Sequence, residues 1–94
     1  YYKTEYYKSA IYAFNYFLKK YPGSSRSEKV MYLKLEASYV FADKSVEYKK
    51  QERLNDALEA YADFVAFYPE SEYRDDADKI AKELKEQLKE FENR

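Results

Sequence analysis

The fold of this 94-residue chain is decided by one stretch and its repetition. The stretch is Tyr7–Ser24, YKSAIYAFNYFLKKYPGS, and its repetition is Leu54–Ser71, LNDALEAYADFVAFYPES. The step from Ala10 to Ala57 sets a shift of 47 residues between the two copies. The identical residues under this shift are Ala10, Ala13, Phe17, Tyr21, Pro22 and Ser24 in the first copy and Ala57, Ala60, Phe64, Tyr68, Pro69 and Ser71 in the second. A duplicated helix hairpin is the simplest explanation of such a repeat.

The apolar residues of each copy follow the period of an α-helix. They are Tyr7, Ala10, Ile11, Phe14, Phe17, Leu18 and Tyr21, and then Leu54, Ala57, Leu58, Tyr61, Phe64, Val65 and Tyr68. This i, i+3, i+4, i+7 spacing places each set on one stripe of a helix. Both stripes end at a Tyr-Pro pair, because proline disfavours helical geometry in the residue before it. The pattern predicts two amphipathic helices whose stripes form the core, with Phe17 and Phe64 as its largest rings.

A second helix is predicted after each proline. The spacing of Ser25 and Glu28 matches a capping box, with Ser24 as an alternative cap, and Ser71 is the expected cap in the second unit. Four helices are predicted near residues 2–21, 26–42, 46–68 and 73–92. Because short links join antiparallel neighbours, we expect an all-α fold of tetratricopeptide-like hairpins in a short right-handed α-solenoid. Residues 1–94 then form one domain with repeat units near 2–42 and 46–92.

The repeat is longer than an ordinary tetratricopeptide unit of about 34 residues, by about 13. The additional residues fall around Asp43 to Glu52, where a polar run from Glu47 to Glu52 predicts an N-terminal extension of the third helix. Two repeats fall short of the roughly three that an independently stable array needs, so we expect marginal stability or self-association. The chain does not begin with Met and opens inside a predicted helix, which indicates a fragment of a longer protein.

The residue types argue against catalysis. The chain has no histidine and no cysteine, which removes the commonest general base and the usual nucleophile dyads. Helix capping accounts for Ser24, Ser25 and Ser71 without a nucleophilic role. The cluster of Asp75, Asp76 and Asp78 lacks the turn glycine and distant glutamate of a calcium loop, and pairing with the helix dipole explains it. We therefore expect neither an enzyme nor a cofactor or metal site.

The charges are divided unevenly along the chain. Residues 1–50 carry 10 basic and 5 acidic groups, a net +5, and residues 51–94 carry 7 and 13, a net −6. A pI near 5.6 and the lack of a concentrated basic face argue against nucleic-acid binding. No run reaches the roughly 18 to 20 apolar residues needed to cross a bilayer.

Tyrosine is unusually abundant, at 13 residues. Tyr12 and Tyr16 differ from the stripe tyrosines, because at 100° per residue they point roughly 160° away from Phe14. One interpretation is a protein-binding face, where tyrosine is enriched, formed by both rings beside three lysines. The other is packing against a preceding repeat. The candidate binding residues are Lys8, Tyr12, Tyr16, Lys19 and Lys20.

These residues resemble a known family. The string Tyr7-x-x-Ala10-x-x-Ala13-Phe14-x-x-Phe17-Leu18-x-x-Tyr21-Pro22-x-Ser24, followed by Tyr32, by Ala37 to Tyr39 and by Gln51-Glu52-Arg53-Leu54, is similar to the BamD family. Its members are lipid-anchored tetratricopeptide lipoproteins of the outer-membrane β-barrel assembly machinery. The periplasmic cell-division coordinators of the CpoB type carry close variants of the core string. The long insertion before Gln51 and the absence of a Trp-Leu-Gly step after Tyr32 favour the BamD family.

The resemblance implies a function that periodicity alone does not give. It implies a non-enzymatic scaffold on the periplasmic face of the bacterial outer membrane. The implied partners are the POTRA domains of the barrel-forming protein, or unfolded outer-membrane proteins, and the implied membrane contact is a lipid anchor outside these residues. The alternatives are a periplasmic cell-envelope coordinator of the CpoB type and a regulatory fragment of a larger enzyme. Recovery of β-barrel assembly proteins or of Tol-system proteins would distinguish the first two.

Overall fold

The chain folds as two helix hairpins. A computed structural model describes residues 2–45 and 47–92, and over these residues it contains four helices and no strand. The helices are α1 (Tyr2–Lys20), α2 (Ser27–Asp43), α3 (Glu47–Phe67) and α4 (Arg74–Glu92). The predicted all-α class is confirmed. Each helix end that falls on a described residue lies within one residue of its predicted position, and the predicted start of the third helix at residue 46 lies outside the described residues.

Helix α2 is the central element. It packs against α1, its partner in the first hairpin, and against both α3 and α4 of the second hairpin, while α3 packs against α4. The buried residues of the core cluster are Leu35, Ala42, Leu54, Ala57, Ala60, Phe64, Ala77 and Leu84. All of them belong to α2, α3 and α4. The core therefore lies where the second hairpin meets α2.

The two apolar stripes are buried to different extents. Phe64, Leu54 and Ala57 are completely buried on α3. On α1 the equivalent Phe17 is only partly buried, so the prediction that both phenylalanine rings are core residues is right for Phe64 and wrong for Phe17. The reason is that α2 and α4 enclose the stripe of α3, whereas α1 packs against α2.

Serine side chains shape both turns, with one correction to the sequence prediction. The Ser24 Oγ accepts a hydrogen bond from the Arg26 N–H at 3.1 Å. In the second turn the Ser71 Oγ accepts from the Tyr73 N–H, also at 3.1 Å. The N-cap of α2 is Arg26 and has no side-chain hydrogen bond, so the predicted capping box of Ser25 and Glu28 is wrong, and Ser24 instead bonds to the backbone of the turn just before the helix. Glu28 instead accepts a hydrogen bond from the Ser71 hydroxyl and ties the two hairpins together.

The inserted segment extends α3, as predicted. Helix α3 begins at Glu47, so the polar run is helical. Arg53 fixes this extension to the end of α2, since its guanidinium donates to the Ser45 Oγ at 2.7 Å and lies 4.1 Å from the centre of the Phe41 ring. Tyr48 is 83% exposed. The first turn of α3 therefore projects into solvent, while Arg53 and the residues after it are held by α2.

Candidate protein-binding surface

The candidate residues lie together on the outward side of α1. Tyr12 is 77% exposed and Tyr16 is 57% exposed. The lysine side chains at positions 8, 19 and 20 are exposed as well. We call these five residues, Lys8, Tyr12, Tyr16, Lys19 and Lys20, the tyrosine ridge. Two large aromatic rings with flanking cations are an uncommon surface for a solvated helix, on which charged and polar residues are typical.

One lysine of the tyrosine ridge contacts a ring. The Lys20 Nζ donates a hydrogen bond to the Tyr16 hydroxyl at 3.1 Å. The same nitrogen lies 5.5 Å from the centre of the Tyr16 ring, within the range of a cation–π interaction. The two residues are four positions apart, so they are neighbours on the helix surface. This contact joins one lysine of the tyrosine ridge to one of its two rings.

The second hairpin shows which residues occupy the equivalent positions and whether they are exposed. The equivalents of Tyr12 and Tyr16 are Glu59 and Asp63, and both are exposed. They stay exposed although the first hairpin packs against the second through α2. Contact between successive hairpins therefore leaves these two positions free.

The acidic cluster of α4 has a local structural role. The Asp78 carboxylate accepts from the Tyr61 hydroxyl at 2.6 Å and from the Arg74 Nε at 2.9 Å. These hydrogen bonds, that of Tyr61 first, lower the pKa of Asp78, and the same bond to Asp78 raises the pKa of Tyr61. Within the described ranges no group of three or more His, Cys, Asp or Glu side chains is arranged to hold a metal ion.

Sequence reasoning missed the concave surface beside α1. An open surface depression of about 450 Å³ is lined by Phe17, Tyr21, Gly23, Ser24 and Arg26. A groove of about 260 Å³ runs between α1 and α2, with Ala10, Phe14 and Leu33 among its lining residues. The apolar stripe of α1 does not predict this concave surface. Apolar residues have the same spacing in a stripe that packs against a neighbour and in a stripe that stays open.

Sequence reasoning also missed the exposed ring of Phe67, which is 70% exposed at the end of α3. It lies next to a smaller cleft of about 170 Å³ lined by Leu18, Met31 and neighbouring residues. Its equivalent in the first hairpin is Lys20, so the exposure of position 67 was visible in the repeat. The repeat thus supplied the one sequence signal for this ring.

Comparison with known proteins identifies the family. Among the described residues, no helix combines the length and apolar character that a membrane span requires. Neither a curated protein nor a solved structure was found to match the chain. The family model YfiO, described as an outer membrane lipoprotein, matches residues 1–93. The chain therefore belongs to the YfiO, or BamD, family of outer membrane lipoproteins.

Proposed function

We propose that this chain is a non-enzymatic scaffold of the outer-membrane β-barrel assembly machinery and binds partner proteins through the tyrosine ridge. Family membership supports the envelope setting, and the scaffold sits on the periplasmic face of the membrane. The observation that carries the binding role is the exposure of Tyr12 and Tyr16 side by side on α1. The partner is a protein, either the POTRA domains of the barrel-forming subunit or an unfolded outer-membrane protein.

The rings supply the affinity in this proposal. A buried aromatic residue contributes large contact area, and tyrosine is enriched among the few interface residues that carry most of the binding energy. In the free chain Tyr16 is in contact with Lys20. The free energy of binding becomes more favourable as a partner removes more of the apolar surface of these two rings from water.

The lysines of the tyrosine ridge raise the rate at which the partner associates. Lys8, Lys19 and Lys20 border the rings within a half of the chain whose net charge is +5. Charges at the rim of an interface mainly raise the association rate and add little to the final affinity. The tyrosine ridge therefore suits a partner surface that is acidic and partly apolar.

Packing against a preceding repeat is the competing explanation of Tyr12 and Tyr16. In the second hairpin, which has a preceding hairpin, the equivalent Glu59 and Asp63 remain exposed. A preceding hairpin that packed in the same way would leave Tyr12 and Tyr16 exposed too. This equivalence favours the binding role.

The test is a double substitution with a matched control. Tyr12→Ala with Tyr16→Ala in the full-length protein should weaken binding to the POTRA domains at least about tenfold, because both rings lose their contacts. Isothermal titration calorimetry measures the affinity, and circular dichroism measures helix content and melting temperature. Glu59→Ala with Asp63→Ala, at the equivalent positions of α3, should leave the affinity unchanged. A lower melting temperature with unchanged affinity for the tyrosine variant would overturn the binding role.

The lysines are tested by kinetics. Lys19→Glu with Lys20→Glu should slow association and reduce its dependence on salt, while the dissociation rate changes less. Surface plasmon resonance at two ionic strengths separates the two rates. A change confined to dissociation would show that these lysines do not steer the encounter.

The family match favours a β-barrel assembly role over a coordinator of the CpoB type. Co-purification decides between them. Recovery of β-barrel assembly proteins supports the scaffold role, and recovery of Tol-system or peptidoglycan-synthesis proteins alone contradicts it.

A further inference from the structure

The cleft beside Phe67 lies between the two hairpins, where the ends of α1 and α3 meet the start of α2, and its volume is about 170 Å³. We call it the anchor cleft, and its lining residues are Leu18, Pro22, Ser27, Met31, Phe67 and Tyr68. Pockets that hold small molecules usually measure about 300 to 1,000 Å³, so the anchor cleft has room for a single side chain. A protein that presents one side chain is therefore the class of ligand that fits.

The lining favours an apolar side chain. Five of the six lining residues are apolar or aromatic. The hydroxyl of the sixth, Ser27, donates to the Tyr21 carbonyl oxygen at 3.4 Å, so an apolar occupant would not leave it without a partner. Phe67 is 70% exposed, and its ring would lose contact with water when the cleft is filled. Both effects make the binding of an apolar side chain favourable.

The repeat shows that this apolar lining is particular to the first hairpin. The equivalents of Ser27 and Met31 are Arg74 and Asp78. These two side chains form an ion pair at 2.9 Å, and the Arg74 guanidinium also donates to the Pro69 carbonyl oxygen at 2.8 Å. In the second hairpin the two positions are thus polar and satisfied within the chain. In the first hairpin they are uncharged and border open space.

The charges around the anchor cleft differ between its two sides. On the α1 side Lys19 and Lys20 are exposed, and among the described residues neither forms an ion pair. On the α3 side the nearest charges in the sequence are acidic, with Asp63 one turn before Phe67 and Glu70 three residues after it. Charge complementarity therefore favours a partner segment whose acidic residues lie on the α1 side of its apolar side chain.

We propose that the anchor cleft binds one large apolar side chain of the same partner protein that covers the tyrosine ridge, on a segment whose acidic residues meet Lys19 and Lys20. This inference rests on the proposed function, because both lysines belong to the ridge and lie in the sequence between two lining residues of the cleft, Leu18 and Pro22. A segment with a charged or small residue at this point gains the lysine contacts but leaves the cleft empty. The anchor cleft is therefore the part of the interface that determines specificity.

The first test removes one wall of the cleft. Phe67→Ala in the full-length protein should weaken binding to the POTRA domains at least about fivefold through faster dissociation, because the contact forms once the partner is seated. The melting temperature should change by no more than about 2 °C, since the ring is largely exposed. Tyr48→Ala, which removes an 83% exposed ring from the same helix, is the matched control and should change neither quantity. Surface plasmon resonance measures the rates, and circular dichroism measures the melting temperature.

A second measurement reports on the cleft directly. Met31 is the single methionine of the 94-residue chain, so labelling the methionine methyl group gives one NMR signal from the lining. Saturation with the POTRA domains should shift this signal, because the inserted side chain changes the surroundings of the methyl group. The Lys19→Glu and Lys20→Glu double variant should reach the same bound position more slowly, since its cleft is intact.

The results separate this inference from the proposed function. If Tyr12→Ala with Tyr16→Ala weakens binding, while Phe67→Ala does not and the Met31 signal stays in place, the ridge binds the partner and the anchor cleft is overturned. If Phe67→Ala weakens binding and the Met31 signal shifts, while the double tyrosine variant keeps its affinity, the anchor cleft is supported and the proposed role of the two rings fails. Equal weakening by Phe67→Ala and Tyr48→Ala overturns the anchor cleft. A chain that binds neither POTRA domains nor an unfolded outer-membrane protein overturns both.

Discussion

Helices α1 and α3 carry the same stripe and bury it differently. Ala60 and Phe64 of α3 are 5% and 0% exposed, whereas Ala13 is exposed and Phe17 is partly buried on α1. The local sequence explains why both segments are helices and why both end before proline. The neighbours decide the burial, since α3 lies between α2 and α4. The comparison shows that one pattern encodes a helix and its apolar face, but not what covers that face.

The outward sides of the same two helices are both exposed but differ in chemistry. Position by position, Tyr12 and Tyr16 of α1 face solvent where α3 has Glu59 and Asp63. Packing between the hairpins does not constrain these positions, so their chemistry is free to diverge. The acidic pair is an ordinary solvated surface, and under the proposed function the aromatic pair is the surface that a partner covers.

The largest expected effect compares the two phenylalanines. Phe64→Ala should lower the free energy of unfolding by about 3 to 5 kcal/mol, because it leaves a cavity in the core. Phe17→Ala should cost about 1 to 2 kcal/mol, since the ring already keeps part of its contact with water. Urea unfolding followed by circular dichroism measures both.

Equal losses at the two positions would contradict the difference in burial between α1 and α3.

A smaller effect compares the two turn serines. Ser71→Ala removes a hydrogen bond to the Tyr73 N–H and the link to Glu28, and should cost about 1 to 2 kcal/mol. Ser24→Ala removes the bond to the Arg26 N–H and should cost about 0.5 to 1 kcal/mol.

Thermal unfolding of both variants measures this difference, and Glu28→Ala, which removes the acceptor of the Ser71 hydroxyl, separates the link from the hydrogen bond to the Tyr73 N–H. A Ser71→Ala loss no greater than that of Ser24→Ala would show that the Glu28 link adds nothing to stability.

Much of the fold follows from the sequence, because helix period and helix stops are local properties. The four helices, the extension before Gln51 and the turn role of Ser24 and Ser71 were accessible in this way. The partner of Glu28 was not accessible, since its bond to Ser71 spans 43 residues and depends on how the hairpins dock.

The same distinction between local and tertiary features applies to the candidate site. The outward direction of Tyr12 and Tyr16 follows from counting 100° per residue, so the exposure of both rings was predictable. The surface depression at Phe17 and Arg26 was not predictable, because it depends on which side of α1 the chain leaves uncovered. Local periodicity gives directions around a helix axis, and tertiary packing decides which of them stay open.

The smallest expected effect concerns Tyr61 and its equivalent, Phe14. Phe14 has no hydroxyl, whereas the Tyr61 hydroxyl bonds to Asp78 and lowers the pKa of that carboxyl, with Arg74 as the second cause. A carboxyl whose pKa is lower in the folded chain stabilises it above the unfolded pKa, and this contribution is lost as pH falls through the folded pKa. Tyr61→Phe should therefore raise the pKa of Asp78 towards its ordinary value and slightly reduce the loss of stability below about pH 4. Carbon-detected NMR titration measures the pKa, with Tyr48→Phe as the exposed control. An Asp78 pKa that moves equally in both variants, or in neither, would show that the hydroxyl does not hold the carboxylate.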